Sequence, residues 1–360
     1  MTNRRATGQA KPWIRRPGAL LSLLLSAGLT AGLFHYLARA TTWQQWLDLY
    51  RGLDLAYFAA FLGLFLVSML LKAVRYRILL QASGSPETPS LADLVTLTFV
   101  SNLFVDLLPA RSGSLAYIVF LNRKLRVELP ACFSSFAFSF ILDMIGMLPL
   151  FALAIIIRGL STGEPDYLLW GLLAALALIS LAALALMEKV LHLAGRMVAR
   201  LAAGRSGKPW SLVQRLAREM ERIAEDITRV KARGLYGRLL LISVVIRLLK
   251  YLGLYLLVVG LAHQFGPPVV QRLGFSVVLF ALIAAEATAS LPVSGIAGFG
   301  AYEGVMMATY SAAGLGAQQA ALLSFGAHLL TQVIDYSLGA LALFRLSLIN
   351  RNQPGSEASG

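Results

Sequence analysis

Charged side chains recur in this chain where the surrounding sequence is apolar, and each needs a chemical reason to be there. Lys72 and Arg75 close one apolar run, and Arg247 and Lys250, again three residues apart, interrupt another. Single acids, Asp143 in Ile-Leu-Asp and Asp335 in Val-Ile-Asp, punctuate two more. Cations three apart share a helical face and suit an oxyanion such as a phosphate, while isolated carboxylates can balance or switch that charge. Arg247 lies about 14 Å into its run at 1.5 Å per residue. Two readings of Arg247 and Lys250 stay open: they neutralise a bound phosphate, or they pair with Asp335, Glu286 or Glu303 and hold helices together.

The densest cluster of unusual residues is Pro292-Val-Ser-Gly295-Ile-Ala-Gly298-Phe-Gly300-Ala-Tyr-Glu303-Gly304. Its glycines permit left-handed backbone and close approach of a headgroup, and Glu303 falls in the first turn of the helix that follows. Glu303 is either a capping and helix-dipole residue or a counter-charge for an amino headgroup or for Arg247. A second break, Leu108-Pro109-Ala110-Arg111-Ser112-Gly113, places Arg111 where it could hold phosphate. Pro109, Gly113, Pro292, Gly295, Gly298 and Gly300 are the break and hinge positions. Polar seams lead to the two acids: Ser135, Ser139 and Asp143 on one helix, and His328, Thr331 or Gln332, and Asp335 on another. His328 is read as a packing residue.

These residues must be positioned by membrane-spanning helices. The chain is 58% apolar and 14% charged, with mean hydropathy +0.70, more apolar surface than a soluble core of 360 residues hides. Apolar runs of about twenty residues cross a hydrocarbon slab of about 30 Å as helices, and alternating barrel strands are absent. The net charge of +14 sits between the runs as a topology signal, which argues against a nucleic-acid partner. Cys132, the one cysteine, forms no intrachain disulfide and reads as packing.

The fold class expected is all-α integral membrane, with six full spans and two Pro/Gly-broken re-entrant helix pairs. The spans are Ala19 to Leu37, Leu55 to about Leu71, Ala131 to Ile157, Tyr167 to Met187, Gly237 to Leu261 and Gln318 to Phe344. Residues 1–18 form a basic cytoplasmic tail, 19–345 the transmembrane domain and 346–360 a disordered tail. Residues 189–237 read as a cytoplasmic basic amphipathic loop, its helix opened by a Ser211/Gln214 capping box and either lying on the anionic inner leaflet or packed on the bundle. Basic loops place both termini in the cytoplasm of a multi-pass protein of the cell (inner) membrane. The stretches Leu91 to Phe120 and Gly274 to Gly314 then each need an even number of crossings. The order of cationic span, Leu-Pro break and acidic span occurs twice, in halves about 55–157 and 237–345 of opposite orientation, the plan of secondary transporters with a midplane site.

On Lys72-Ala-Val-Arg75-Tyr76, Leu108-Pro109-Ala-Arg111-Ser-Gly113 and Gly298-Phe-Gly300-Ala-Tyr-Glu303, the chain resembles the lysylphosphatidylglycerol synthase transmembrane family over residues 20 to 345. The resemblance implies a flippase-like domain that moves lipids between leaflets. The family's Gly-Glu-x-x-Arg after the first break is here Gly113, Ser114 and Tyr117, which loses a charge pair. The fused synthase is not expected after residue 345, so no amino-acid transfer is expected either.

The function expected is a flippase or transporter for an anionic or amino-modified lipid, with Arg75, Arg111, Arg247, Lys250, Asp143, Glu303 and Asp335 binding substrate. The partners are membrane lipids with anionic headgroups, with lipid-synthesis enzymes and a second copy of the chain as further candidates. Alternatives are a membrane-embedded lipid-modifying transferase and a scaffold for lipid-synthesis enzymes. No Asp-x-Asp or His-x-x-x-His occurs, and no catalytic residue, metal or cofactor is expected.

Overall fold

A computed structural model describes residues 17–84, 88–108, 113, 115–163, 166–203, 208–289, 295–296 and 299–349. The chain opens with α1 (Pro17–Ala40), α2 (Trp43–Arg51), α3 (Leu55–Ser83), α4 (Leu91–Leu107) and α5 (Leu115–Leu125). Next come α6 (Leu129–Thr162), α7 (Tyr167–Ala202), α8 (Lys208–Ala232), α9 (Tyr236–Ala262), α10 (Pro267–Arg272) and α11 (Phe275–Ala289). The short strands β1 (Gly295–Ile296) and β2 (Phe299–Gly300) precede α12 (Ala301–Ala312) and α13 (Ala317–Ile349). The described residues are therefore all-α apart from a two-stranded antiparallel hairpin.

Five described helices, α3, α6, α7, α9 and α13, are long and apolar enough to cross a membrane. The segment expected as the first span is the 24-residue helix α1. The boundaries follow local chemistry: Thr42 and Gln45 form a capping box at α2, Asp54 caps the Ala56 N–H of α3, and Asp166 caps the Leu169 N–H of α7. At the far end of α3, Gly84 adopts a left-handed conformation that stops the helix.

Two boundaries differ from the sequence expectation. α7 runs through Ala202 rather than ending near Met187, because Val190, Leu193, Met197 and Leu201 continue the helical period. α8 begins at Lys208, so Ser211 and Gln214 lie inside it and form no terminal capping box; Pro209 is tolerated in the opening turn. Of the two placements expected for the amphipathic helix, α8 packs on α7 and α6, burying Ala217, Ala224, Ile227 and Val230. Arg229 and Arg233 donate to the Ser83 and Gln81 carbonyls at 2.8 and 2.7 Å, satisfying acceptors left open at the end of α3.

The bundle has a repeated packing pattern. α3 runs antiparallel to α9: the Asp54 N–H reaches the Gly260 carbonyl at one end, Phe61 packs on Gly253, and Arg75 meets Ser243 further along. α4 is likewise antiparallel to α13, from Asp93 beside Arg345 through Leu103 on Gly339 to Asn102 beside Asp335. α6 packs on α11, with Phe151 edge-on to Phe280. One apolar core, including Leu97, Tyr117, Leu121 and Cys132, sits among α3 to α6. Another, including Tyr251, Leu282, Tyr310 and Leu323, is built chiefly from α9 to α13, with Leu49 of α2, Phe61 of α3 and Leu150 and Ala154 of α6 completing it.

Candidate functional site

Where α3, α6 and α9 converge, the intramembrane charges meet. Arg75 on α3 is buried and donates to both carboxylate oxygens of Asp143 on α6, at 2.6 and 3.2 Å, and to Ser243 Oγ on α9 at 2.8 Å. Gly146, one turn beyond Asp143, makes this convergence fit, since a Cβ there would press on the Ser243 backbone at 3.0 Å. Arg247 on α9 lies between two acids, 3.7 Å from Asp143 and 3.5 Å from Glu286 on α11. Lys250 closes on the other Glu286 oxygen, and the Tyr251 hydroxyl donates to Glu286 at 3.3 Å. A buried charge is tolerated when it is paired, and in this chain of Arg75, Asp143, Arg247, Glu286 and Lys250 every charge has an opposite one in contact, with Arg75 Nε as the buried donor that has no acceptor among the described residues.

The network forms one wall of a cavity of about 290 Å³. The remainder of the lining includes Lys72 on α3, Asn102 and Asp106 on α4, and Thr331, Gln332 and Asp335 on α13. Asp335 accepts from Asn102 Nδ2 at 2.7 Å, and among the described residues no cation lies within 4 Å of it. Lys72 is in the complementary position. Its ammonium lies 4.0 Å from Met69 Sδ, and among the described residues it has no carboxylate within 4 Å. The lining therefore carries the cations Lys72, Arg75, Arg247 and Lys250 against the acids Asp106, Asp143, Glu286 and Asp335. On one wall the charges neutralise one another; across the cavity Lys72 and Asp335 face the space without an opposite charge in contact among the described residues.

Of the substrate-binding residues expected from the sequence, Arg75, Asp143, Arg247, Lys250 and Asp335 line this one cavity. Arg247 and Lys250 take the pairing reading with Glu286, and not with Asp335 or Glu303. Glu303 is fully buried behind the lining, where it accepts from the Gly300 N–H at 2.7 Å and pairs with His328. It thus performs the capping role, with the His328 ring rather than Arg247 as its side-chain partner. Gln332 Nε2 lies 2.8 Å from His328 Nε2, so the ring is held between Gln332 and Glu303. Asn102 and Asp106, four residues apart on α4, join the site without having been expected; their spacing on one apolar helix was the available signal.

Both breaks reach this region. Gly295 pairs with Gly300 across the hairpin, at φ 117° and 145°, and a Cβ on Gly295 would fall on the Phe299 carbonyl. Gly113 is buried, and a Cβ on it would fall on the Phe104 carbonyl. Phe299 and Tyr302, either side of Gly300, pack on the His328 ring, which lines the cavity. Arg111, Pro109, Pro292 and Gly298 lie outside the described residues.

A family model described as the lysylphosphatidylglycerol synthase TM region matches residues 19–339. No curated protein and no solved structure matches the chain.

Proposed function

The chain belongs to the family of the lysylphosphatidylglycerol synthase TM region, a multi-pass membrane domain associated with lipids, and from that premise we propose that it moves a lipid between leaflets. The lipid passes its headgroup through the cavity between α3, α4, α9 and α13, and leaves it chemically unaltered. One observation carries this reading: among the described residues Lys72 and Asp335 face the same cavity without an opposite charge in contact, whereas its Arg75, Arg247 and Lys250 are already matched by Asp143 and Glu286. An intramembrane charge costs about 3 kcal/mol even on lenient scales. A headgroup that presents a phosphate to Lys72 and an ammonium to Asp335 offsets both costs at once.

The way the halves pack supports alternating access. The cation-bearing helices α3 and α9 are antiparallel neighbours, and α4 on α13 is answered by α11 on α6. This exchange of partners is what a two-fold axis in the membrane plane produces. α4 and α11, of 17 and 15 residues, rise about 26 and 23 Å at 1.5 Å per residue, too short to cross alone, which suits re-entrant pairs with α5 and α12. α1 supplies a sixth span in this arrangement.

The test is reconstitution into liposomes carrying fluorescent lipids of several headgroups in one leaflet. The reading expects redistribution of a phosphate-bearing, amino-modified or anionic class, with unchanged lipid mass by mass spectrometry. Unchanged leaflet distribution across the whole panel defeats it, and a covalently altered lipid points to a transferase instead.

A further inference from the structure

We propose that the end of α7 beyond Met187 is a surface foot that docks in an anionic leaflet, on the side of the membrane where α8 lies. The argument starts from length. At 36 residues and 1.5 Å per residue α7 extends about 54 Å, against a hydrocarbon core of about 30 Å, so its last turns lie past the core. Those turns are not polar all round. Val190, Leu193, Met197 and Leu201 are each more than half exposed and recur at i, i+3, i+7 and i+11, one continuous stripe. The stripe prolongs the lipid-facing surface of the spanning part through exposed Leu186.

Nothing else in the described chain covers this stripe. α8 occupies another face of α7, where Gly195 sits against Glu221 and Ala217 and Leu184, Met187 and Leu191 join a core with Ile227 and Val230. Charge identifies the occupant. Lys189, Arg196 and Arg200 are exposed and follow at i, i+7 and i+11 along one flank of the stripe. Among the described residues none has a carboxylate within 4 Å. An apolar stripe edged with cations matches the boundary between acyl chains and anionic headgroups. A second copy applied stripe to stripe would instead double the cations along one seam without an acid to answer them. The foot is also joined to the cavity, because α8 packs on it and holds the end of α3 through Arg229 and Arg233.

The experiment uses the full chain in nanodiscs of phosphatidylcholine alone or with about 30% phosphatidylglycerol, and it does not depend on lipid movement. Spin labels at Leu193→Cys and, separately, Leu201→Cys report immersion through their accessibility to oxygen and to a water-soluble nickel chelate; buried Cys132 stays unlabelled. The oxygen-to-nickel ratio at both sites is expected to exceed that of a label at the exposed Gln214→Cys at least about twofold in the anionic discs. Arg196→Glu with Arg200→Glu is expected to return most of that difference. Nickel-dominated accessibility at both sites in both compositions overturns the proposal. So does disulfide cross-linking of Leu193→Cys between copies, which assigns the stripe to a second chain.

Discussion

Arg75 and Asp143, on different helices and 68 positions apart, meet in two parallel hydrogen bonds of 2.6 and 3.2 Å inside the bundle. This geometry makes the pair a structural fastener as well as part of the cavity wall. Arg75→Ala strands the acid, and is expected to lower stability by about 3–5 kcal/mol. The double change Arg75→Met with Asp143→Leu is expected to recover most of that loss, because an apolar pair of similar volume has no desolvation cost. Thermal unfolding in detergent compares the two.

Lys72→Met probes the opposite situation. Since no carboxylate among the described residues relies on Lys72 by direct contact, the melting temperature is expected to stay close to that of the parent, while lipid movement in liposomes falls at least about tenfold, some 1.4 kcal/mol of lost headgroup stabilisation. Lys72→Arg, which retains the charge, is expected to keep most of the movement.

Asp335→Asn retains an oxygen for the Asn102 amide to donate to and removes only the charge. The expected outcome is selective: transport of lipids bearing an ammonium falls by about tenfold relative to lipids without one. A headgroup panel measured on the same liposomes reads that ratio directly.

Asp226 on α8 gives a pH dependence outside the spanning helices. Burial pushes its carboxyl from 3.8 up to about 6, against the pull of the Arg229 guanidinium 3.3 Å away. The folded form thus holds a proton that the unfolded segment has already lost, so α8 docking weakens as pH rises from about 4 through about 6. Acidification from pH 7 to pH 5 is expected to increase hydrogen-exchange protection of α8 amides, after correction for intrinsic rates. Asp226→Asn is expected to protect them at pH 7 and flatten the dependence.

The sequence made the spanning helices legible because apolar length is a local property, and it located both breaks because proline and glycine act on their own backbone. Arg75, Asp143, Arg247, Lys250 and Asp335 were found by the cost of charge at depth, which marks a residue without revealing its partner. Partnership was the part out of reach. Glu286 was one of three candidates for Arg247 and Lys250, and the choice depends on α11 packing beside α9. Asn102 and Asp106 went unnoticed because α4 meets α13 more than two hundred residues later, and no spacing rule spans that interval. The extension of α7 was hidden by the cations on its flank, which masked an apolar stripe carried on every third or fourth residue.

At the second break, the Phe299 carbonyl accepts from Thr30 Oγ1 on α1 at 2.6 Å, and Phe34 and Trp46 from the first two helices pack with Phe299 and Phe325. These two helices lean chiefly on the hairpin, α12 and α13, all within one half of the bundle. Halves related by inversion and otherwise alike would give inward-open and outward-open forms of equal energy, exchanging like the two faces of a coin. On the proposed inverted arrangement, a strap bound to one half would lift that degeneracy and give the resting molecule a preferred side even before any lipid or gradient acts on it.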